Sequence, residues 1–457
     1  MTSPLPLTLT AESSSPRSLC SKLDHVLFCG VMGLLLFGPL AFGAVESWSI
    51  SLLQIGVALL FALWAARQGV AGELEIANNP LFLPMSLFAG LVVSQLATGR
   101  TAYRSDTSSA VLLYCAYGLL CFLVVQCLRR TSQVKALAWV FSGYGFTVAL
   151  FALVQGIASN GKLYWLRSLS ADGWIFGPYV NHNHYAGLME MLTPIPLVIS
   201  LAENIRDSRR ALAALAAAVM ASTIFLSGSR GGMAAFAVQM ALLAGFLIAR
   251  RKNAKAALML GAFAVIVLAL LAWLGGGELV NRLASVHSAT HAELSGGTRL
   301  TIDRDALRIL AQKPISGWGL GTFSEIYPQF SSLSTNLQVG FAHNDYLQLL
   351  VEMGALGFAT MLLFLLILFR SALKKLKHFP ADTNAAVTLA AVLGVSGILV
   401  HSCVDFNLQI PANAAFFYVF CTAAAMEPRF GRHRHTHRAS NLREGTVLSP
   451  AYDQVGT

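Results

Sequence analysis

The sequence has little charge. Only 12% of its 457 residues are Asp, Glu, Lys or Arg, whereas 55% are hydrophobic. This balance places the chain among polytopic membrane proteins. The seven cysteines are scattered along the chain and form no Cys-x-x-Cys pair. They therefore indicate neither a disulfide framework nor a thiolate metal site.

Apolar runs approaching the ~20 residues needed to cross a bilayer recur along the chain. They predict an all-α polytopic membrane protein with about 12 transmembrane helices and one large periplasmic loop containing short helices. The predicted spans are 26–45, 50–66, 81–96, 109–128, 134–156, 184–201, 211–226, 232–249, 256–274, 346–369, 385–400 and 412–426.

These spans divide the chain into five regions. The sequence predicts a disordered cytoplasmic amino terminus (1–25), spans one to nine (26–274), the large loop (275–343), spans ten to twelve (344–426) and a basic cytoplasmic tail (427–457). Because loops on a rigid scaffold often carry function, we expect the chemistry to lie at the large loop.

The net charge of +10 is distributed unevenly over the connections. With both termini in the cytoplasm, the inner segments hold 22 of the 32 Lys and Arg residues. This asymmetry is the positive-inside rule and sets the orientation. The basic balance therefore reflects topology, and we expect no nucleic-acid partner.

The sixth span follows Gly177-Pro178, a turn signal. Asn181 or Asn183 can cap its helix by accepting a hydrogen bond from a free N–H group, and both amides can also orient a polar head group. His182 and His184 have the spacing of a metal pair, but the sequence offers no obvious third ligand.

Arg230 is the only charge in the segment L-S-G-S-R-G-G between spans seven and eight. The glycines allow a tight turn and close approach of the backbone to a ligand. Free helix N–H groups and a guanidinium together form an anion site. An arginine at a membrane edge can also simply extend to the interface, but three glycines and two serines around it favour the anion site.

The large loop contains a predicted surface helix at 298–312, which Lys313-Pro314 ends. Arg304 and Arg308 lie one turn apart on it. The predicted apolar stripe consists of Leu300, Leu307 and Leu310. The following G-W-G-L-G is a flexible turn and not a dinucleotide fingerprint, because no strand precedes it.

The loop ends at A-H-N-D-Y-L-Q, where Asn344 or Asp345 can cap the tenth span. A cap there fixes His343 at a helix amino terminus above the membrane, where the positive end of the helix disfavours imidazolium. Glu352, two turns deeper, is an unpaired carboxylate in an apolar run, which makes it a functional candidate.

His401 and Asp405 lie one helical turn apart near the outer face. They could assist the site or simply belong to the connection between two spans, and the sequence favours neither reading.

Four motifs together resemble the O-antigen ligase and polymerase superfamily of bacterial inner-membrane proteins. They are N-H-N-H-Y-A-G, L-S-G-S-R-G-G, G-T-R-L-T-I followed by K-P-I-S-G-W-G-L-G-T-F, and H-N-D-Y-L-Q-x6-G-x-x-G. The resemblance covers roughly residues 157–426. One departure is Asp303, where related sequences often carry tryptophan.

The resemblance implies transfer of a glycan from undecaprenyl diphosphate to an acceptor hydroxyl, such as a lipid A core sugar, at the periplasmic face among membrane lipids. The catalytic positions it implies are Arg230, Arg299 and His343. We expect no cofactor or divalent ion, because arginines can replace a metal in stabilising a diphosphate. The candidates for substrate binding are Asn181, Asn183, Arg304, Asn344, Tyr346 and Glu352.

Three alternatives remain open at this stage. A polymerase, or a protein-directed oligosaccharyltransferase, would share the motifs of a ligase and differ in the acceptor. A transporter or flippase belongs to another class, and against it the sequence has no paired discontinuous apolar segments and no inverted repeat.

Topology is directly testable. Reporters fused within 204–209, 251–255 and 374–378 should report cytoplasm, and a reporter within 285–295 should report periplasm, because of the Lys and Arg asymmetry. A periplasmic signal from the fusion at 374–378 would overturn the orientation.

Overall fold

The computed structural model describes residues 16–168, 175–202, 205–250, 254–284, 296–333 and 339–426. Within these ranges the regular structure is helical, apart from two isolated β-bridges. The helices are α1 (Pro16–Leu40), α2 (Ser47–Ala71), α3 (Phe82–Ala97), α4 (Arg104–Cys127), α5 (Thr131–Ile157), α6 (His182–Leu192), α7 (Pro194–Leu201), α8 (Asp207–Leu226), α9 (Arg230–Ala249), α10 (Ala254–Ala284), α11 (Gly296–Gln312), α12 (Phe323–Ile326), α13 (Asp345–Leu376), α14 (Thr383–His401) and α15 (Pro411–Ala425). The predicted all-α class is confirmed.

Eight helices are long and apolar enough to cross a membrane: α1, α2, α4, α5, α8, α9, α13 and α14. Shorter apolar helices are α3, the 258–274 part of α10, and α15. By length and composition the chain is therefore a multi-pass membrane protein. The total of twelve crossings and the periplasmic position of the large loop stay predictions. The predicted amino-terminal and carboxy-terminal tails lie largely outside the described residues, as does part of the loop.

The sixth apolar segment is two helices and not one. The helical hydrogen-bonding pattern is interrupted between α6 and α7, because Pro194 and Pro196 have no N–H groups to continue it, although Thr193 keeps helical φ −57° and ψ −39°. Every residue of α6 is buried, and the segment packs against α8, α9 and α14. This broken helix lies at the centre of the bundle, where its polar side chains meet those of neighbouring helices.

One end of the bundle, which we call the site end, gathers the first residues of α6, α9, α13 and α15 with the last residues of α14. The backbone N–H of Asp345 donates to the Ser402 carbonyl at 3.0 Å. The side chain of Asn413 donates to the His184 carbonyl at 2.9 Å. The first bond joins α13 to the end of α14, and the second joins α15 to α6.

The surface helix α11 was predicted in position but not in orientation. Its bounds agree with the predicted 298–312, but Leu300 and Leu307 are 58% and 51% exposed. The buried residues are Ile302, Ala306 and Ile309, which form a small core with Phe323, Ile326, Tyr327, Val339, Ala342 and Val351. The predicted apolar stripe is therefore wrong for Leu300 and Leu307, and only Leu310 is partly buried. The reason is that α11 has two apolar faces, and the sequence does not show which one meets the core.

Helix α13 is broken at Gly354, which has φ 62° and ψ −168°. The break lets the glycine-rich turn after α11 pair with the helix backbone. The N–H groups of Trp318 and Gly319 donate to the Val351 and Glu352 carbonyls at 3.0 and 2.8 Å. The whole of α13, Asp345–Leu376, is a candidate membrane span by length and composition, and the bounds of the tenth span stay a prediction.

Replacing Gly354 by Ala tests this arrangement. Its backbone lies in a region that only glycine occupies readily, and an added Cβ would overlap the Ile315 carbonyl oxygen. We expect a loss of roughly 1–3 kcal/mol in the free energy of unfolding, seen as a lower melting temperature of the detergent-purified protein. Gly90→Ala is the control, because its Cβ would meet no atom within 4 Å. Equal melting temperatures of Gly354→Ala and wild type would contradict the strained break.

Candidate functional site

The connection between α14 and α15 buries one carboxylate, Asp405, among three imidazoles. Its Oδ1 lies 3.8 Å from His343 Nδ1 and 3.9 Å from His184 Nε2. Its Oδ2 lies 3.9 Å from His401 Nε2. Asp405 is 1% exposed. All three separations exceed hydrogen-bond distance, so these groups interact through their charges and form no direct hydrogen bonds with one another.

Phe406 holds this cluster in place. The rings of His184 and His343 each contact it edge-on, with centroids 4.7 Å away. Phe341 stacks on its face at 4.5 Å. The aromatic side chain therefore fixes two of the imidazoles relative to Asp405.

The connection is also tied to the start of α13 through Asp345. This buried carboxylate accepts hydrogen bonds from Ser402 Oγ at 2.7 Å and from the Leu408 N–H at 3.1 Å. Asp345 therefore determines where the loop that carries Asp405 lies.

His343 lies directly before the amino terminus of α13, as predicted. Asn344 caps the helix, because its side-chain oxygen accepts from the Tyr346 and Leu347 N–H groups at 3.2 Å each. His343 itself has a positive φ of 52°, a conformation that histidine tolerates better than most residues. Its side chain is 18% exposed, so the ring is reachable from solvent.

Arg299, in the first turns of α11, reaches the same place. Its Nη1 donates to the Val404 carbonyl at 2.6 Å, and its Nε is buried without a hydrogen-bond partner among the described residues. Burial alone would raise the pKa of Asp405, but His343, His184, His401 and Arg299 together lower it below its usual range. The carboxylate at the centre of the cluster is therefore ionised.

Asp303 lies one turn after Arg299 on α11. Partial burial raises the pKa of its carboxyl group, although the charges of Arg299 and His343 act in the opposite direction. The residue that departs from the family motif thus lies within electrostatic reach of both predicted catalytic groups.

Arg230 begins α9 at the same end of the bundle. Its side chain is exposed and makes no hydrogen bond or ion pair with the residues that the structure describes. Ser229 caps α9 by accepting from the Gly232 N–H at 3.1 Å. The guanidinium is therefore available to a ligand.

The asparagines before the sixth segment lie at the site end as well. Asn181 caps α6, because its Oδ1 accepts from the Asn183 N–H at 2.8 Å, which confirms the predicted cap. Asn183 is 9% exposed. Among the described residues, no group of three or more His, Cys, Asp or Glu side chains is arranged to hold a metal ion.

The remaining binding candidates differ in availability. Arg304 is exposed on α11. Tyr346 uses its hydroxyl to donate to the Leu399 carbonyl at 2.6 Å, which joins α13 to α14.

The prediction that Glu352 is an unpaired carboxylate is wrong. Its oxygens accept from the Gly321 N–H at 2.8 Å, from Gln348 Nε2 at 3.2 Å and from the Phe323 N–H at 3.4 Å. Glu352 therefore anchors the chain after α11 to α13. Gln348, one turn earlier on the same helix, was a partner that the sequence could have suggested, but the Gly321 and Phe323 N–H groups belong to a loop whose path back onto the helix the sequence does not show.

Sequence reasoning missed Glu190. This residue of α6 is fully buried and lies 2.8 Å from His401 Nδ1. The signal was present, since an acidic residue inside an apolar segment is a functional candidate in a membrane protein.

Residues 215–362 match the family model described as O-antigen ligase. No curated protein matches the chain. The match confirms the resemblance to the O-antigen ligase superfamily over this part of the chain, which includes Arg230, Arg299 and His343. At the level of the superfamily it implies a glycosyltransferase-like enzyme that acts on lipid-linked glycans.

Proposed function

We propose, from this family match and the geometry of the site end, that the chain is an inner-membrane glycosyltransferase of the O-antigen ligase type. It crosses the bacterial inner membrane twelve times and carries its active site at the periplasmic side. It transfers a glycan from undecaprenyl diphosphate to an acceptor hydroxyl, such as one on a lipid A core sugar.

The observation that carries this proposal is the convergence of an arginine, a histidine and a carboxylate from separate segments. Arg299 donates to the carbonyl next to Asp405, and His343 faces Asp405 at 3.8 Å. Arg230 begins α9, whose next residue packs against His401 of the same cluster. These are groups that a reaction releasing a diphosphate requires.

The arginines act on the leaving group. As the bond between the anomeric carbon and the diphosphate oxygen breaks, negative charge grows on the diphosphate. Guanidinium groups can donate two parallel hydrogen bonds to such oxygens. Arg230 and Arg299 therefore stabilise the departing undecaprenyl diphosphate.

His343 acts on the acceptor. Its Nδ1 faces Asp405, which leaves Nε2 as the nitrogen that takes the proton of the acceptor hydroxyl while the oxygen attacks the anomeric carbon. The gap of 3.8 Å is of the kind that closes when substrate binds, because catalytic hydrogen bonds are often long in unliganded sites.

Arg304, Asn181 and Asn183 are proposed to contact the glycan or its phosphates, since all three lie at the site end or on α11. Asn344, Tyr346 and Glu352 are engaged in hydrogen bonds that fix the start of α13. Their contribution to binding is to hold His343 and the surrounding backbone in place.

A polymerase would use the same groups and differ only in the acceptor. Deletion of the protein followed by gel analysis of lipopolysaccharide separates the two reactions. Loss of all capped chains identifies a ligase, whereas single-repeat caps identify a polymerase.

A transporter is less well supported. An interruption does occur between α6 and α7, but Thr193 keeps helical φ −57° and ψ −39°. The backbone there is therefore not unwound to offer carbonyl groups to an ion. Conversion of a lipid-diphosphate glycan by purified protein, without a membrane gradient, would exclude transport as the whole activity.

Arg230→Ala should abolish transfer, because it removes a cation proposed to stabilise the leaving diphosphate. The variant should still insert and accumulate, since the exposed guanidinium has no partner in the described residues that its loss would leave unpaired. Arg230→Lys should restore little activity, since an ammonium lacks the planar fork. Both variants are assayed with purified lipid-linked donor. Full activity of Arg230→Ala would remove this residue from the site, and full activity of Arg230→Lys would reduce its role to charge alone.

His343→Gln keeps a hydrogen-bond donor but removes the proton acceptor, so turnover should fall roughly 10²–10⁴-fold. If His343 only bound the diphosphate through a hydrogen bond, the glutamine side chain would keep that donor and turnover would change little. Near-normal turnover by His343→Gln would sink the assignment of His343 as base.

A further inference from the structure

Beneath Asp405 lies a second pair of titratable groups that the proposed reaction does not use. Glu190 is 0% exposed and His401 is 1% exposed. Glu190 Oε1 lies 2.8 Å from His401 Nδ1, within hydrogen-bond distance. The two residues come from α6 and the end of α14, so the contact spans the centre of the bundle.

The pair continues toward the site. His401 Nε2, the nitrogen that does not face Glu190, lies 3.9 Å from Asp405 Oδ2. Asp405 Oδ1 in turn lies 3.8 Å from His343 Nδ1. The order of groups is therefore Glu190, His401, Asp405, His343, from the buried interior to the solvent-accessible ring.

The two neighbouring carboxylates determine the protonation state of His401. An imidazole between two carboxylates is most stable as imidazolium, with Nδ1–H directed at Glu190 and Nε2–H directed at Asp405. A neutral ring with its proton on Nδ1 would instead aim a lone pair at Asp405. The other charged or titratable groups facing this cluster are His184 from α6 and Arg299 from α11.

The start of α9 is shaped around the same pair. A Cβ at Gly231 would lie 2.6 Å from His401 Cδ2, and one at Gly232 would lie 3.0 Å from Glu190 Oε1. The first of these contacts is closer than real Cβ atoms come, and the second leaves little room. The two glycines after Arg230 therefore allow the pair to pack against the helix that presents the exposed arginine.

We propose that Glu190 and His401 form a positioning pair, in which Glu190 holds the His401 ring so that its positive charge, 3.9 Å from Asp405 Oδ2, positions the carboxylate that faces His343. The inference rests on the proposed function, because it concerns the base of that reaction. Neither Glu190 nor His401 touches substrate. Their effect reaches the acceptor hydroxyl only through Asp405 and His343.

The experiment is a double-mutant cycle between Glu190→Gln and Asp405→Asn in the full-length protein, purified in detergent and assayed with lipid-linked donor. The glutamine oxygen still accepts from Nδ1–H but no longer balances an imidazolium. We expect Glu190→Gln to lower kcat about 10- to 100-fold, with little change in KM for the donor. In the Asp405→Asn background, Glu190→Gln should lower kcat less than about threefold, because the effects of residues that act as a unit are not additive.

A structural role predicts a different pattern. If Glu190 served only to pack the bundle, its substitution would lower the melting temperature and its effect on kcat would add to that of Asp405→Asn. Additive losses, or full activity of either single variant, would overturn the pair. Gln126→Leu is the matched control: Gln126 is buried and joins both backbone groups of Ala77 far from the site, at 2.8 and 2.9 Å. It should lower stability without changing kcat.

The wild-type protein separates the two hypotheses. If it does not convert the donor, the proposed function fails and the role of the pair fails with it. If it does convert the donor, the cycle alone decides whether Glu190 and His401 act through Asp405.

Discussion

The site end depends on keeping one ionised carboxylate, that of Asp405, out of water. Removing a charge from water is costly unless opposite charges and hydrogen-bond donors surround it. Here the compensation comes from imidazoles of the sixth segment, of α14 and of the residue before α13, together with Arg299 from α11. Because these groups belong to separate segments, the full compensation exists only when all of them are assembled. The fold and the site therefore require each other.

The second requirement is a fixed position for His343 just before the amino terminus of α13. The break at Gly354 separates residues 345–353 from the rest of α13. Glu352 then accepts hydrogen bonds from the loop N–H groups of Gly321 and Phe323. A buried carboxylate that binds backbone amides is rigid, since each lost bond would leave a polar group without a partner. The loop thus becomes part of the scaffold that presents the histidine.

The sequence predicted the features that are local. Apolar length predicted the helices, and α11 was placed to within a few residues. Each of the two caps was narrowed to a pair of neighbours, from which the structure selects Asn181 and Asn344. The features it did not predict depend on contacts between distant segments. The partners of Glu352 and the buried face of α11 follow from how the loop folds back onto α13. Likewise, the contact between Glu190 and His401 exists only because α14 brings His401 beside α6.

Within the proposed reaction, the two arginines have different starting states. Arg299 already donates to the Val404 carbonyl and lies within the field of Asp303 and Asp405. Part of its charge is therefore balanced before any substrate arrives. Arg230 has no such partner among the described residues. A diphosphate entering the site gains more from the unbalanced guanidinium, because no existing ion pair must be weakened to form the new one. In this proposal both arginines stabilise the leaving group, Arg230 with an unbalanced charge and Arg299 while it also ties the loop of Asp405 to α11.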